Sequence, residues 1–111
     1  MLSLRELLLG ICLRPAMYVA NGSFPEVAAF IDGFDCGRFP DGTSDREMVQ
    51  FGRWLARRFD YPDLGWSHCL LRICGDDPQF AFARLVPFFD EFIAERGANA
   101  HAIAGLGVDV L

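Results

Sequence analysis

The residues of this chain best suited to chemistry are aspartates whose spacing would place them on the same face of a helix. Asp32 and Asp35 are three positions apart, and Asp41 follows soon after. Residues at this spacing lie on one side of an α-helix, so their carboxylates could serve acid–base chemistry or bind a divalent cation. A solvated acidic face is the favoured interpretation. Carboxylates near a helix C-terminus oppose its dipole, and this cost indicates a use such as contact with a basic partner.

A second acidic segment follows in the middle of the chain. Asp60-Tyr61-Pro62-Asp63 has the composition of a loop, and Trp66 comes shortly after it. Aromatic side chains commonly anchor protein interfaces, and acidic residues speed the encounter with a basic partner. The sequence therefore predicts a partner-binding surface, formed by Asp32, Asp35, Asp41, Asp60, Tyr61, Asp63 and Trp66.

The four cysteines and two histidines give weaker indications of chemistry. His68, Cys69 and Cys74 are close in sequence, but Cys12 and Cys36 are far away, and the Cys-x2-Cys pairing typical of zinc sites is absent. Neighbouring residues on a helix point about 100° apart, so His68 is poorly placed to activate Cys69. We expect the cysteines to pack as small hydrophobic residues, and we predict no metal, no cofactor and no catalytic residue.

The charge balance narrows the class of partner. The 111 residues carry a net charge of −5, and all ten basic residues are arginine. Such a chain repels a phosphate backbone, so we expect no nucleic-acid binding. The N-terminal apolar run is short and bracketed by charges, which predicts neither a signal peptide nor a membrane span. We therefore expect a cytoplasmic protein with reduced cysteines.

Helix-start signals recur through the first half of the chain. Three Ser-x-x-Glu patterns, at Ser3/Glu6, Ser23/Glu26 and Ser44/Glu47, each precede an apolar stripe and read as capping boxes. The residue periodicity predicts helices over 4–13, 24–36, 45–59 and about 78–96. Asp76 or Asp77 is the predicted cap of the last helix, and Pro87 lies inside it. Residues 66–74 fit a short buried helix or a buried strand, and helix is favoured because no strand partner is evident.

These elements predict one all-α domain, a bundle of four to five helices with a core rich in phenylalanine. Eleven phenylalanines and 52% hydrophobic residues are enough for such a core. Residues 1–97 are the predicted helical domain, because Gly97 reads as the end of the last helix. Residues 98–111 are a tail rich in small residues, either loose or an extended arm.

The segment Arg14-Pro15-Ala16-Met17-Tyr18 joins the first two helices and reads as a structural motif. Pro15 stops the first helix because the residue before a proline disfavours the helical conformation. Arg14 is predicted to pair with a carboxylate or with exposed helix-end carbonyls. Met17 and Tyr18 are predicted to fill the core.

This motif belongs to a wider pattern of aromatic and apolar residues between about residues 13 and 93. The pattern comprises Arg14-Pro15-x-Met17-Tyr18, Ser23-Phe24, Ala29–Phe34, Phe51-x-x-Trp54-Leu55, Gly65-Trp66-Ser67 and Phe88–Phe92. It resembles a family of small bacterial helical proteins of unassigned role, some relatives of which resemble immunity proteins encoded beside polymorphic toxins. The resemblance implies a stoichiometric toxin inhibitor with no chemistry of its own.

The sequence thus leads to a non-enzymatic protein-binding domain of the immunity type, whose partner is a basic toxin domain. A small enzyme or ligand-binding domain with an interhelical pocket near Arg14 and Tyr18 is the alternative. A third interpretation is a homodimer that buries excess aromatic surface between copies.

Overall fold

Five α-helices make up the part of the chain that the structure describes, and they confirm the predicted all-α bundle. The computed structural model describes residues 3–37 and 46–110, with side chains as far as Ala98. The helices are α1 (Leu4–Leu13), α2 (Phe24–Gly37), α3 (Glu47–Phe59), α4 (Trp66–Ile73) and α5 (Pro78–Val110), and a single 3-10 turn, Pro15–Met17, follows α1. Within those ranges no β-strand is present, so residues 66–73 are helical as favoured.

The helix starts use their caps to different extents. Ser23 and Glu26 form the complete capping box: the Glu26 N–H donates to Ser23 Oγ at 3.3 Å, and the Ser23 N–H donates to Glu26 Oε1 at 3.4 Å. The Ser23 hydroxyl also donates to Glu26 Oε1 at 2.8 Å, and this hydrogen bond is the main cause that lowers the pKa of Glu26. At α1 only half of the box forms: Ser3 Oγ accepts from the Glu6 N–H at 3.1 Å, without the reciprocal hydrogen bond to the Glu6 carboxylate.

The third predicted capping box differs from the structure. Helix α3 begins at Glu47, with Arg46 in the cap position and no cap bond from its side chain. Ser44, the predicted cap, lies outside the described residues. Asp77, one of the two predicted caps of α5, does cap that helix, since its Oδ1 accepts from the Gln79 N–H at 3.0 Å.

An aromatic cluster forms the centre of the core, as predicted. The Phe51 ring lies 5.4 Å from that of Phe89 and 5.7 Å from that of Phe92, and it stacks on Trp54 at 6.1 Å. Such offset and edge-on pairs add stability beyond the area they bury. Around them pack the apolar stripes of α1 and α2, contributed by Leu4, Leu7, Leu8, Ile11, Val27 and Ile31.

Helices α3 and α4 meet at a glycine. A Cβ at Gly52 would lie 2.9 Å from the Trp66 backbone nitrogen and 3.2 Å from its Cα, which is too close for any side chain. This contact allows α4 to start directly against α3. It thereby determines where the loop between them projects.

Helix α5 continues beyond its predicted end at Gly97, which is a correction. Its backbone remains helical to Val110, so residues 98–110 are not an extended arm. Alanine at positions 98, 100, 102 and 104 is the strongest helix former, and the glycines that follow each cost only about 1 kcal/mol. Pro87 lies inside this helix, as the sequence predicted.

Candidate partner-binding site

The loop between α3 and α4, residues 60–65, is fixed at both ends by backbone geometry. Asp60 ends α3 in the left-handed conformation, with φ of 54°, and the Tyr61 N–H donates to the Ala56 carbonyl at 2.9 Å. At the far end Gly65 has φ of 92°. There the Gly65 N–H donates to Asp63 Oδ1 at 3.4 Å. The loop therefore presents its side chains from a defined backbone.

Those side chains combine apolar area with negative charge. Tyr61 is 42% exposed and Leu64 is 58% exposed, and the carboxylates of Asp60 and Asp63 lie beside them in solvent. Leu64 was not predicted as a site residue, because a leucine in a loop carries no chemical signature. We call the exposed set Asp32, Asp60, Tyr61, Asp63 and Leu64 the loop face.

Two depressions adjoin the loop and share Asp63. A groove of about 400 Å³ is lined by Asp60, Tyr61 and Asp63 together with Arg53 and Arg57 of α3. A cleft of about 260 Å³ on the other side is lined by Asp32, Asp35, Arg46, Asp63 and Trp66 among others. Six of the seven predicted site residues line one or the other of these depressions. The seventh, Asp41, lies outside the described residues.

Arginines reduce the acidity predicted for this surface. Arg53 and Arg57 are one helical turn apart and line the same groove as Asp60 and Asp63, while Arg46 lines the cleft. Arg58, the next in sequence, instead lies 3.5 Å from Glu91 of α5. The groove therefore has a positive wall and a negative wall.

Trp66 is a correction to the predicted surface. Its side chain is only 4% exposed, because it packs at 6.1 Å from Phe24 in the core. Its indole Nε1 donates to Asp32 Oδ1 at 2.7 Å, which satisfies the one polar group of the buried ring. Trp66 therefore orients Asp32 at the edge of the cleft and does not act as an exposed anchor.

Asp35 is a second correction. The residue is 1% exposed, and its Oδ2 accepts a hydrogen bond from the Met48 N–H at 3.1 Å. Met48 belongs to the first turn of α3, where backbone N–H groups lack helical partners and the helix dipole favours negative charge. Asp35 of α2 therefore caps α3 across the fold. It has a structural role and is not available to a partner.

The Arg14–Tyr18 motif lies on the surface, contrary to the prediction that Met17 and Tyr18 fill the core. Met17 is 72% exposed and Tyr18 is 37% exposed. The Tyr18 ring packs edge-on against Phe30 at 5.9 Å, and its hydroxyl oxygen lies 2.7 Å from where a Gly10 Cβ would be. The Tyr18 hydroxyl therefore packs directly against the backbone of α1.

Arg14 also differs from its prediction. Its guanidinium lies 3.9 Å from Met17 Sδ, and within the described residues it has no carboxylate partner. The backbone around it forms the predicted turn, with the Tyr18 N–H donating to the Pro15 carbonyl at 3.0 Å.

The cysteines have the environments of packed side chains in three of four cases. Cys69 and Cys74 are buried and Cys12 is half-buried, while Cys36 is exposed. Burial raises the pKa of the Cys12 thiol to about 11, and burial also raises those of Cys69 and Cys74. Raised pKa values keep these thiols protonated and poorly nucleophilic at neutral pH. In the described part of the chain, no three His, Cys, Asp or Glu residues gather as metal ligands.

Among the described helices, none combines the length and the apolar character that crossing a bilayer requires. Comparison of the chain with protein-family models, with curated proteins and with solved structures finds no match. Arguments about function therefore rest on the geometry of this molecule.

Proposed function

We propose that the protein is a non-enzymatic binding domain that holds a protein partner through the loop face. The observation that carries this proposal is the loop at residues 60–65, in which Tyr61 and Leu64 are exposed on a backbone fixed at both ends. Interfaces gain most of their energy from a few aromatic and apolar anchors, and prior ordering of a loop lowers the entropy cost of binding.

The charges around the anchors describe the partner. Three exposed carboxylates, of Asp32, Asp60 and Asp63, favour a basic segment beside Tyr61. The positive wall formed by Arg53 and Arg57 favours an acidic group at the far side of the groove. The partner is therefore a predominantly basic protein surface that also carries at least one carboxylate.

The finer proposal is that this partner is a toxin and the protein its immunity protein. Its support is the resemblance of the core pattern to small bacterial proteins, some relatives of which resemble immunity proteins, together with a net charge of −5 that suits a basic toxin domain. Such an inhibitor binds with one-to-one stoichiometry and covers its target by contact alone.

Calorimetric titration against the purified product of the adjacent gene tests the proposal. We expect one-to-one binding that weakens by at least about tenfold in Tyr61→Ala, because an aromatic anchor at an interface is worth roughly 2 kcal/mol. Asp60→Asn should lower the association rate constant at low salt. At high salt the variant and the wild-type chain should associate equally fast, because the ions screen the charge.

Asp76→Asn is the matched control for Asp60→Asn. Both aspartates are exposed and both have positive φ, 54° at Asp60 and 61° at Asp76, a conformation that asparagine also tolerates. Asp76 lies after α4, where it approaches Arg72 at 3.8 Å. Equal effects of the two substitutions, or an unchanged affinity in Tyr61→Ala, would overturn the assignment of the loop face.

A further inference from the structure

An exposed apolar surface lies apart from the loop face, on the outer side of α1 and the turn that follows it. Of the eight large hydrophobic side chains exposed in the described part of the chain, five lie here: Leu9 (41% exposed), Leu13 (73%), Met17 (72%), Tyr18 (37%) and Phe30 (39%). We call these five residues, with Glu6 and Arg14, the α1 face. Concentrated apolar exposure of this kind marks an interaction surface.

Helix geometry makes these side chains neighbours. Leu9 and Leu13 are one turn apart on α1, on the side opposite to the buried Leu4, Leu8 and Ile11. Tyr18 joins α1 to α2, because it packs on Gly10 and on Phe30. The apolar area therefore extends across two helices.

The two ends of this face carry opposite charges that nothing in the described part of the chain neutralises. Glu6 lies one turn before Leu9, and its carboxylate makes neither the capping bond expected of it nor an ion pair. Arg14 lies at the C-terminal end of α1, where its guanidinium contacts Met17 Sδ. By contrast, Arg5 on the same helix is paired with Asp90 at 2.7 Å.

We propose that a second copy of the chain covers the α1 face, with the two α1 helices antiparallel across a two-fold axis. In such an isologous contact residue i of one copy meets residue j of the other, and j meets i. Glu6 and Arg14 are about 12 Å apart along α1. In the antiparallel arrangement Glu6 of each copy therefore meets Arg14 of the other, and the two ion pairs flank Leu9 and Leu13.

The charge distribution keeps the repulsion between two copies small at this face. Each copy carries a net charge of −5, so two copies repel wherever their acids meet. Arg14 is the one charged residue between Leu7 and Pro25 in the sequence, so the centre of the contact is free of acids. The seven residues of the α1 face are fewer than the roughly 20–30 residues per partner in standard interfaces, so we expect a weak dimer whose population depends on concentration.

Sedimentation velocity over the micromolar range, with the full chain, tests this proposal. We expect the wild-type chain to form dimers, and we expect Leu13→Gln to weaken the dimer by at least about tenfold because two copies of an interface leucine are lost. Leu13 is 73% exposed, so this substitution leaves the core intact.

Charge exchange gives the sharper result. Glu6→Arg and Arg14→Glu each place like charges at both ends of the contact, so each variant alone should dimerise at least about tenfold more weakly. Mixed together they should form a heterodimer, because one chain then carries only positive charges at the contact and the other carries only negative charges. Arg53→Glu is the control: it makes the same change in net charge as Arg14→Glu and should leave the dimer unchanged.

Three results would overturn the proposal. The wild-type chain could remain monomeric at every concentration, as expected if a different protein covers this face. A dimer could form that is indifferent to Leu13→Gln, which would place its interface elsewhere. The mixture of Glu6→Arg and Arg14→Glu could dimerise no better than either variant alone, which would exclude the antiparallel arrangement. Circular dichroism confirms that each variant is folded before it is compared.

Discussion

The loop face and the α1 face lie on opposite flanks of α2 and differ in what holds them in place. Asp32 of α2 belongs to the loop face, and Phe30 of α2 belongs to the α1 face. Because these two residues are two positions apart, their side chains are separated by about 200° around the helix axis, and the buried residues of α2 lie between them. The loop face depends on contacts between α2, α3 and α4, whereas the α1 face is built mainly from one helix and the turn after it.

This difference separates two kinds of surface on a small bundle. On the loop side, buried polar contacts from Trp66 and Asp35 fix the side chains and backbone that support an exposed, charged loop. On the α1 side, exposed leucines and Met17 present area with little charge. The first arrangement suits the charged partner that we propose, and the second suits the proposed self-association, with its ion pairs at the two ends.

Gly52 gives the largest expected effect and affects only the loop side. Gly52→Ala should lower the free energy of unfolding by about 1–3 kcal/mol, because its Cβ would be forced against the Trp66 backbone. Partner binding by the loop face should weaken with it, while sedimentation should show self-association unchanged. Denaturant unfolding and calorimetry provide the measurements.

Gly33 is the matched control for Gly52. It is also inside a helix, but nothing lies within 4 Å of an added Cβ. Gly33→Ala should therefore stabilise the fold by up to about 1 kcal/mol, through helix propensity alone. If the two substitutions shifted stability in the same direction, the close approach of α3 and α4 would not be the determinant of the loop side.

The Asp35 cap of α3 and the Ser3 cap of α1 should contribute different amounts to the free energy of unfolding. Asp35→Ala leaves the buried Met48 N–H without its acceptor and should cost about 2 kcal/mol of stability. Ser3→Ala removes an exposed local cap from α1 and should cost about 1 kcal/mol. Urea unfolding measures both, and a smaller loss from Asp35→Ala than from Ser3→Ala would contradict the tertiary cap.

The smallest expected effect concerns the ion pair that ties α1 to α5. Arg5 lowers the pKa of Asp90 below the ordinary value of 3.8, mainly through a side-chain hydrogen bond. The ionised pair therefore stabilises the fold above the unfolded-state pKa, and this contribution is lost as the pH falls through the lowered value. Both side chains are about half exposed, so the effect is modest and weakens with salt.

Asp90→Asn measures this contribution. We expect the variant to be slightly less stable than the wild-type chain near neutral pH, with the difference disappearing in acid below pH 3.8. Thermal unfolding across the acid range at low salt detects the change. A difference that persists undiminished at the lowest pH would show that packing, and not charge, accounts for it.

The helical fold was predictable because local signals and apolar periodicity agree over most of the chain. The stripe Leu4, Leu7, Leu8, Ile11 and the box Ser23/Glu26 each predicted an element that the structure contains. The end of α5 was not predictable from Gly97, since a glycine ends a helix only where its backbone leaves the helical conformation. At this position the alanines that follow favour continuation.

The neighbourhood of the candidate site residues was predictable from the sequence, but their individual environments were not. Sequence spacing placed Asp32, Asp60, Tyr61 and Asp63 among the site residues, and the fold brings them together. The sequence could not show that Asp35 caps α3, because this hydrogen bond joins two helices through residues that are 13 positions apart. Nor could it place Trp66 in the core, since an aromatic residue beside an acidic loop is equally consistent with either environment.

Hydrogen–deuterium exchange of the chain in complex with the product of the adjacent gene tests the central proposal most directly. We predict that partner binding slows exchange in residues 60–65 and in the adjoining ends of α3 and α4, and leaves α1 unaffected. Protection confined to α1 and the Pro15–Met17 turn, with residues 60–65 exchanging as in the free protein, would contradict it.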